Sequence, residues 1–484
     1  MRRACARFGR GRTCAPAWAA TLALAGSLAG CGRSEPPNIV LIVVDTLRAD
    51  SLSCDGYGRP ISPHIESLAN ESTIFPHAYT VGSNTSTSMA ALMTGRLPFY
   101  ADTDPSCRTG DCAEPWDERT WFGMQRFHAK GEIGLPEKLD TLAKLLKRRG
   151  YTTAAYVSNA ILKTKYKFDR GFDRYEEPFL EDCSVVTAGA KQWLRQRGAN
   201  GPPFLLFLHY IDPHAPYLAP VAYRQRVGFK RTDVADERFF TGPAVEHGVS
   251  RDVEGFGSDA FREHLKGLYD SEILYTDECV GRVLDYLRRQ TYYANTLVVF
   301  LSDHGEEFLE HGDTGHPGRF YDEHVRVPLI IRVPRRRPAR ADALVRQFDV
   351  MPTLLDYAGV PPPAGIDAVS LRPLLEGKVA SLGRGVYANF PFPRTRRMYR
   401  TERYKLIVNV ASPEETELYD LSADPGEMRN LYGGPSDPRA ASLKRAMDGV
   451  VAKLSREGSS APSTGPVELD AETREQLRAL GYIQ

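Results

Sequence analysis

The stretch NIVLIVVD, residues 38–45, decides how the chain is read. Six consecutive apolar, mostly β-branched residues run from Ile39 to Val44 between Asn38 and Asp45, with no polar alternation. Such a run is a strand buried on both faces, which belongs in a parallel sheet covered by helices. TTAAYVS (152–158), PFLLFLHY (203–210), TLVVFLSD (296–303) and VPLIIRVP (327–334) read the same way. Helical segments lie between them. SPHIESLANES opens with Ser62 as N-cap and Pro63 at the first helical position. KLDTLAKLLKRRG stops at Gly150, and SEILYTDECVGRVLDYLRRQ is amphipathic at helical spacing. This alternation predicts an α/β fold: a large mixed, mostly parallel sheet flanked by helices.

After GVPPPAG (359–365) the pattern changes. GVYANF, RMYRTERYKLIVN and TELYDLSADPGE read as short strands, and AETREQLRALGYI (471–483) as a closing helix. The expected organisation is a signal peptide (1–30), a linker (31–37), a catalytic domain (38–365) and a C-terminal sheet subdomain (366–484).

In sheets of this kind catalytic groups gather at the C-terminal ends of the strands. Asp45, His209 and Asp303 stand at such ends, and His304 follows Asp303. Each acid alone would serve as a helix N-cap. Asp45, Asp303 and His304 together suit one divalent metal. GSNTSTSMAALMTGRLP (82–98) is a polar run leading into a short helix that starts near Thr87–Ser88 and closes on a glycine. Thr85 precedes that start, where backbone N–H groups and the helix dipole favour negative charge. A bound metal would make its hydroxyl a usable nucleophile. Capping is the competing role, but Thr87 or Ser88 suffices for that. HYIDPHAPY supplies His209 and His214, and EHGDTGHPG supplies His311 and His316; His214 and His316 are the candidates for contacting oxyanion oxygens or a leaving group.

Hydrophobic residues make up 42% of the chain, charged ones 25%, and the net charge is +1, so no global field points to nucleic acid. Basic RVPRRRPARA (332–341) reads as a solvated loop. Arg2, Arg3, Arg7, Arg10 and Arg12 precede an apolar stretch too short to span a bilayer, the layout of a signal peptide. It ends in LAGC, which resembles the bacterial lipobox; this implies lipidation at Cys31. Gly32 follows, so the expectation is a periplasm-facing anchor with the outer membrane favoured. Of eight cysteines, Cys107 and Cys112 in CRTGDC could close a small disulfide loop in an oxidising compartment.

Taken in order, PNIVLIVVDTLRAD, SPHIESLANEST, AALMTGRLP, FLHYIDPHAPY, SDHGEEFLEHG, YDEHVRVPLII and FDVMPTLLDYAGVPPP resemble the sulfatases of the alkaline-phosphatase superfamily. The resemblance implies a metal-assisted ester hydrolase. It gives metal-ligand roles to Asp45, Asp303 and His304, substrate-oxygen contacts to His214 and His316, and calcium as the ion. Three departures stand out. Sulfatases carry Cys or Ser in a C/S-x-P-S-R segment, oxidised to formylglycine; here Thr85 holds that position, and Thr87 and Met89 replace the Pro and Arg. Thr46 replaces the second Asp of the usual pair. VSNA, with Asn159, stands in place of a GKWH segment, so its lysine is absent.

The changes resemble the phosphoethanolamine transferases and lipoteichoic acid synthases, which use a threonine on one metal. A Thr85–His304 ligand set favours Zn²⁺ or Mn²⁺ over Ca²⁺. The leading expectation is a hydrolase of sulfate or phosphate esters, with Thr85 as nucleophile and metal ligand, and His209, Asn159 and His311 as further substrate-binding residues. Transfer of a phospho-group to a glycan or lipid acceptor is one alternative; a catalytically silent glycan-binding protein is another. The insertion at 99–134, with Trp116, Trp121 and Phe122, is expected to shape substrate access.

Overall fold

The computed structural model describes residues 35–98, 134–135, 139–178, 182–228, 256–390 and 396–458. Cys31, the Cys107–Cys112 loop, the aromatic insertion and the 471–483 helix lie outside them.

The eight-stranded sheet is built on β1 (Asn38–Val44), β2 (Thr73–Ile74), β3 (Thr152–Val157), β4 (Arg174–Glu176), β5 (Phe204–Tyr210), β6 (Thr296–Ser302), β7 (Leu329–Arg332) and β8 (Ala339–Arg340), in the order β8-β2-β7-β6-β1-β5-β3-β4. β1 is central and pairs in parallel with both β5 and β6. Its six apolar residues are fully buried, as a strand covered on two faces requires. One face holds Ile39, Leu41 and Val43 under α2 (Thr85–Thr94), α3 (Leu142–Arg148) and α6 (Val350–Tyr357). The other holds Val40, Ile42 and Val44 under α1 (Pro63–Ala69), α4 (Cys183–Arg197) and α5 (Asp259–Arg288).

The structure corrects three sequence readings and adds a disulfide that none of them addressed. β7 runs antiparallel to β6, not parallel. A parallel return needs a crossover, and the 303–328 segment folds instead as a two-stranded ribbon and one helical turn. Ser62 occupies the N-cap of α1 but makes no side-chain cap bond. The Asp277 carboxylate on α5 takes that role, accepting from His64 N at 3.0 Å and Ile65 N at 2.8 Å. α2 begins at Thr85 itself, two residues before the expected start. Finally, Cys183 and Cys279 form a disulfide joining α4 to α5, a pairing across 96 residues that spacing does not signal.

A separate antiparallel sheet follows: β9 (Val386–Phe390), β10 (Arg396–Arg400), β11 (Tyr404–Asn409) and β12 (Glu417–Asp420). Helix α7 (Pro438–Gly458) covers it with Ala440, Leu443, Met447 and Leu454, a helical-period stripe. The same apolar cluster contains Val81, Ala91 and Leu97, so the C-terminal sheet buttresses the helix that begins at Thr85.

Candidate active site

Strand parity and register assemble the site. Val43 is level with His209 and Val44 with Ser302, so Asp45 and Asp303 step off neighbouring parallel strands together. Side chains alternate along a strand. Asp45 therefore continues the 39–41–43 face, Asp303 the 297–299–301 face, His209 the 205–207 face and Asn159 the 155–157 face, all on the α2 side of the sheet. α2 brings Thr85 to the same point. Its N-cap is Asn84, whose Oδ1 accepts from Thr87 N at 2.9 Å. Ser88 Oγ donates to Gly82 O at 3.1 Å. A Cβ on Gly82 would meet Thr87 Cγ2 at 2.5 Å, so the turn needs glycine there. With the cap supplied by Asn84, the Thr85 hydroxyl is left for other contacts.

Those contacts are with the cluster. Thr85 Oγ1 is 3.4 Å from His304 Nε2, and its hydroxyl hydrogen-bonds Asp45. His304 Nε2 lies 3.8 Å from Asp45 Oδ1 and 3.7 Å from Asp303 Oδ2. His209 Nε2 is 3.7 Å from Asp45 Oδ2, which also accepts from Asn159 Nδ2 at 2.7 Å. Ligand atoms of Asp45, His209 and Asp303 all fall within 4.8 Å of one another. His209, read from sequence as a substrate contact, thus stands among the ligand-type groups. The signal for it was present: it has the same parity as Asp45 and Asp303.

Asp303 Oδ1 is held by the N–H groups of Thr46 at 3.2 Å and His304 at 2.8 Å. Thr46 pays for this with a φ of 52°, an unfavourable conformation for a β-branched residue. His304 Nδ1–H donates to Gly305 O at 3.0 Å, which turns the Nε2 lone pair toward Thr85 and the acids. Asp45 Oδ1, Asp303 Oδ2 and both ring nitrogens of His209 are buried without a hydrogen-bond partner. Burial, and then the charge of Asp303, hold the Asp45 carboxyl well above the usual range; burial brings His209 down to about 4. Buried carboxyl oxygens left without a donor beside the neutral His209 imidazole are what a divalent cation relieves. The donor set fits one.

A second tier borders the cluster. The His316 ring lies 4.7 Å from that of His304 and 5.2 Å from that of His214. His316 Nδ1 is 3.5 Å from Glu306 Oε1, and Tyr217 OH donates to Glu306 Oε2. Burial pushes Glu306 up to about 8 and His214 down to about 4. His214 Nδ1–H donates to Ala215 O at 2.5 Å. The sequence reading missed Glu306 and Tyr217, although each sits inside a quoted motif. His311 is placed elsewhere: its Nε2 is 3.0 Å from Glu323 Oε1, and its ring stacks on Tyr321 at 3.6 Å.

The model of the Sulfatase family matches residues 37–360, and that of the N-sulphoglucosamine sulphohydrolase C-terminal region matches 315–456. Among curated proteins, an N-acetylglucosamine-6-O-sulfatase of Bacteroides thetaiotaomicron is 26% identical over 84% of this chain and 85% of its own length. Human arylsulfatase A is 27% identical over 84% and 85%. Among solved structures, BT4656 in complex with D-glucosamine-2-N,6-O-disulfate superposes with a TM-score of 0.67 at 21% identity, covering 88% of this chain and 98% of that one. A phosphonate monoester hydrolase from Silicibacter pomeroyi gives 0.64 at 22%, covering 87% and 96%. Family models, curated relatives and fold agree: the chain belongs to the sulfatase family, the sulfuric ester hydrolases of the alkaline-phosphatase superfamily.

Proposed function

We propose that the protein hydrolyses sulfate esters of saccharides with Thr85 as nucleophile, in place of a formylglycine, since position 85 carries neither the Cys nor the Ser from which one is made. The observation that carries this reading is the Thr85 hydroxyl, bonded to Asp45 and 3.4 Å from His304 Nε2 at the N-terminus of α2. The saccharide class follows the glucosamine-sulfate relatives. Asp45, Asp303 and His304, with Thr85, would hold the cation, and His209 offers a further nitrogen beside them. A divalent ion there, Zn²⁺ or Mn²⁺ by its nitrogen and hydroxyl donors, supplies electrophilic stabilisation of the ester oxygens.

The chain's own groups do the rest. Thr85 directs its proton toward Asp45 and its oxygen lone pairs toward the ester sulfur. The new Oγ–S bond forms as the bond from sulfur to the sugar oxygen breaks. His316, seated against the proton-holding Glu306, gives that oxygen a proton, and His214 packs against the His316 ring on the leaving-group side. A threonine ester has no second hydroxyl through which to eliminate sulfate. Water must therefore displace it, regenerating Thr85. The same step opens the alternative of transfer to an added hydroxyl acceptor. The LAGC sequence at 28–31 supports a lipid-anchored location at the cell envelope, facing the periplasm.

Metal content and turnover of aryl sulfates, aryl phosphates and 6-O-sulfated N-acetylglucosamine, for wild type and Thr85→Ala, test this reading. Wild-type turnover of a sulfate ester, lost in the variant, is the expected result. Product formed only when a hydroxyl acceptor is added would move the assignment to transfer. Glycan binding with no metal and no turnover would make the protein a silent binder.

A further inference from the structure

A cavity of about 710 Å³ lies on the far side of the loop that carries His304. None of Thr85, Asp45, His209, His214, Asp303, His304 or His316 lines it. Arg48 forms the partition: it lines the cavity while its Nη1 donates to Glu306 O at 3.0 Å. The loop is closely packed there: a Cβ on Gly305 would meet Glu323 O at 2.0 Å and Arg48 Cγ at 3.3 Å.

Most charges around this cavity neutralise one another. Arg48 binds Asp50 and Glu310, and Arg326 binds Asp55. Arg400 does not follow that pattern. It is 4% exposed, lies over the Tyr79 ring at 3.9 Å, and among the described residues its side chain makes one hydrogen bond, from Nε to the Thr401 carbonyl at 3.1 Å. Its nearest carboxylate oxygen, Asp322 Oδ1 at 3.5 Å, already takes Lys405 Nζ at 2.5 Å. Nη1 is buried without a hydrogen-bond partner. Burial lowers this guanidinium to about 10, the mark of a cation short of compensation. Lys266, on α5, also lines the cavity and has no ion pair among the described residues.

We propose that this cavity is an accessory site for an anionic saccharide, whose sulfate or carboxylate group is taken by Arg400 and Lys266. The proposal rests on the sulfated-saccharide reading above for its ligand class. The remaining lining suits a hydroxylated ring: Glu402 can accept from hydroxyls, while the half-buried Leu421 and the 70%-exposed Met428 offer apolar surface. The volume is within the range that holds a ligand of a few rings. The acids Asp50, Glu323 and Glu402 would repel a polyphosphate, whereas a sugar bearing one or two acid groups meets both kinds of partner. Occupancy there would hold an anionic saccharide next to the catalytic cluster and raise its local concentration.

The probes are a chemically sulfated chito-tetrasaccharide and its unsulfated parent, titrated by calorimetry into Thr85→Ala protein with and without Arg400→Gln or Lys266→Met. The sulfated probe should bind, and each substitution should weaken it by about tenfold, the worth of one charge-assisted contact. In the Thr85 background the same substitutions should raise KM for the sulfated tetrasaccharide and leave kcat/KM for an aryl sulfate unchanged. Lys266→Met keeps the test open should Arg400→Gln fail to fold. Equal affinity in the parent and both folded variants would overturn the site. Arg400-dependent binding in a protein that hydrolyses no sulfate ester would uphold the cavity while refuting the catalytic reading.

Discussion

Thr85→Ala separates chemistry from capping by magnitude. The substitution removes one fully buried methyl group, about 1 kcal/mol, and one hydrogen bond to Asp45, about 1 kcal/mol, against a gain of about 0.5 kcal/mol in helix propensity. The N-cap survives, because Asn84 Oδ1 still accepts from Thr87 N. The net stability loss of about 1.5 kcal/mol leaves more than about 99% of a domain with ordinary stability folded. If Thr85 is structural, kcat at saturating substrate barely moves. If it is the nucleophile, kcat falls by about 10³ or more, roughly 4 kcal/mol in the barrier. The assay is saturating aryl-sulfate turnover beside a thermal melt, with metal content checked. Thr85→Ser keeps the hydroxyl and should stay within about tenfold of wild type. A folded, metal-loaded Thr85→Ala protein that keeps more than about a tenth of wild-type kcat refutes the nucleophile role.

Three further outcomes follow from the same geometry. Chelation should lower the melting temperature, because an ion present at about 1,000 times its Kd stabilises the fold by roughly 4 kcal/mol; His209→Ala should weaken metal retention, and metal stoichiometry that is unchanged removes His209 from the ligand set. In metal-free protein, burial holds Glu306 up to about 8, so the folded state binds more protons than the unfolded state between about pH 4.5 and 8. Stability is therefore greatest below that window and is lost as pH rises through it. Glu306→Gln should flatten the dependence measured in melts of chelated protein, and stability climbing with pH across this window contradicts the assignment. Reducing Cys183–Cys279, which closes a loop spanning 96 residues, should cost about 4–5 kcal/mol by chain entropy, read as a lower denaturant midpoint; a midpoint unmoved by reductant shows the bond to be dispensable.

The local features of the chain are legible one residue at a time. Apolar runs marked the long strands because burial on two faces leaves no room for polar alternation. Asp45, Thr85, Asp303 and His304 were readable because they sit where those runs end or where a helix begins. Other features depend on partners distant in the chain. Asp277 caps α1 from more than 200 residues away, and Cys183 meets Cys279 only because α4 and α5 lie side by side. The direction of β7 depends on how the 303–328 segment folds back. Strands of only two or three residues, β2, β4 and β8, have too little pattern to be seen.

The sequence by itself determined the kind of sheet and the residue types at its active edge, because both follow from which side chains can be buried along a strand. Only the tertiary structure decided which of those residues share one point. Register across three neighbouring strands sets His209 beside Asp45 and Asp303, the C-terminal sheet fixes the helix that presents Thr85, and the close packing of the His304 loop separates the Arg400 cavity from the catalytic cluster. Those are distances between segments far apart in sequence, fixed by how whole faces pack together.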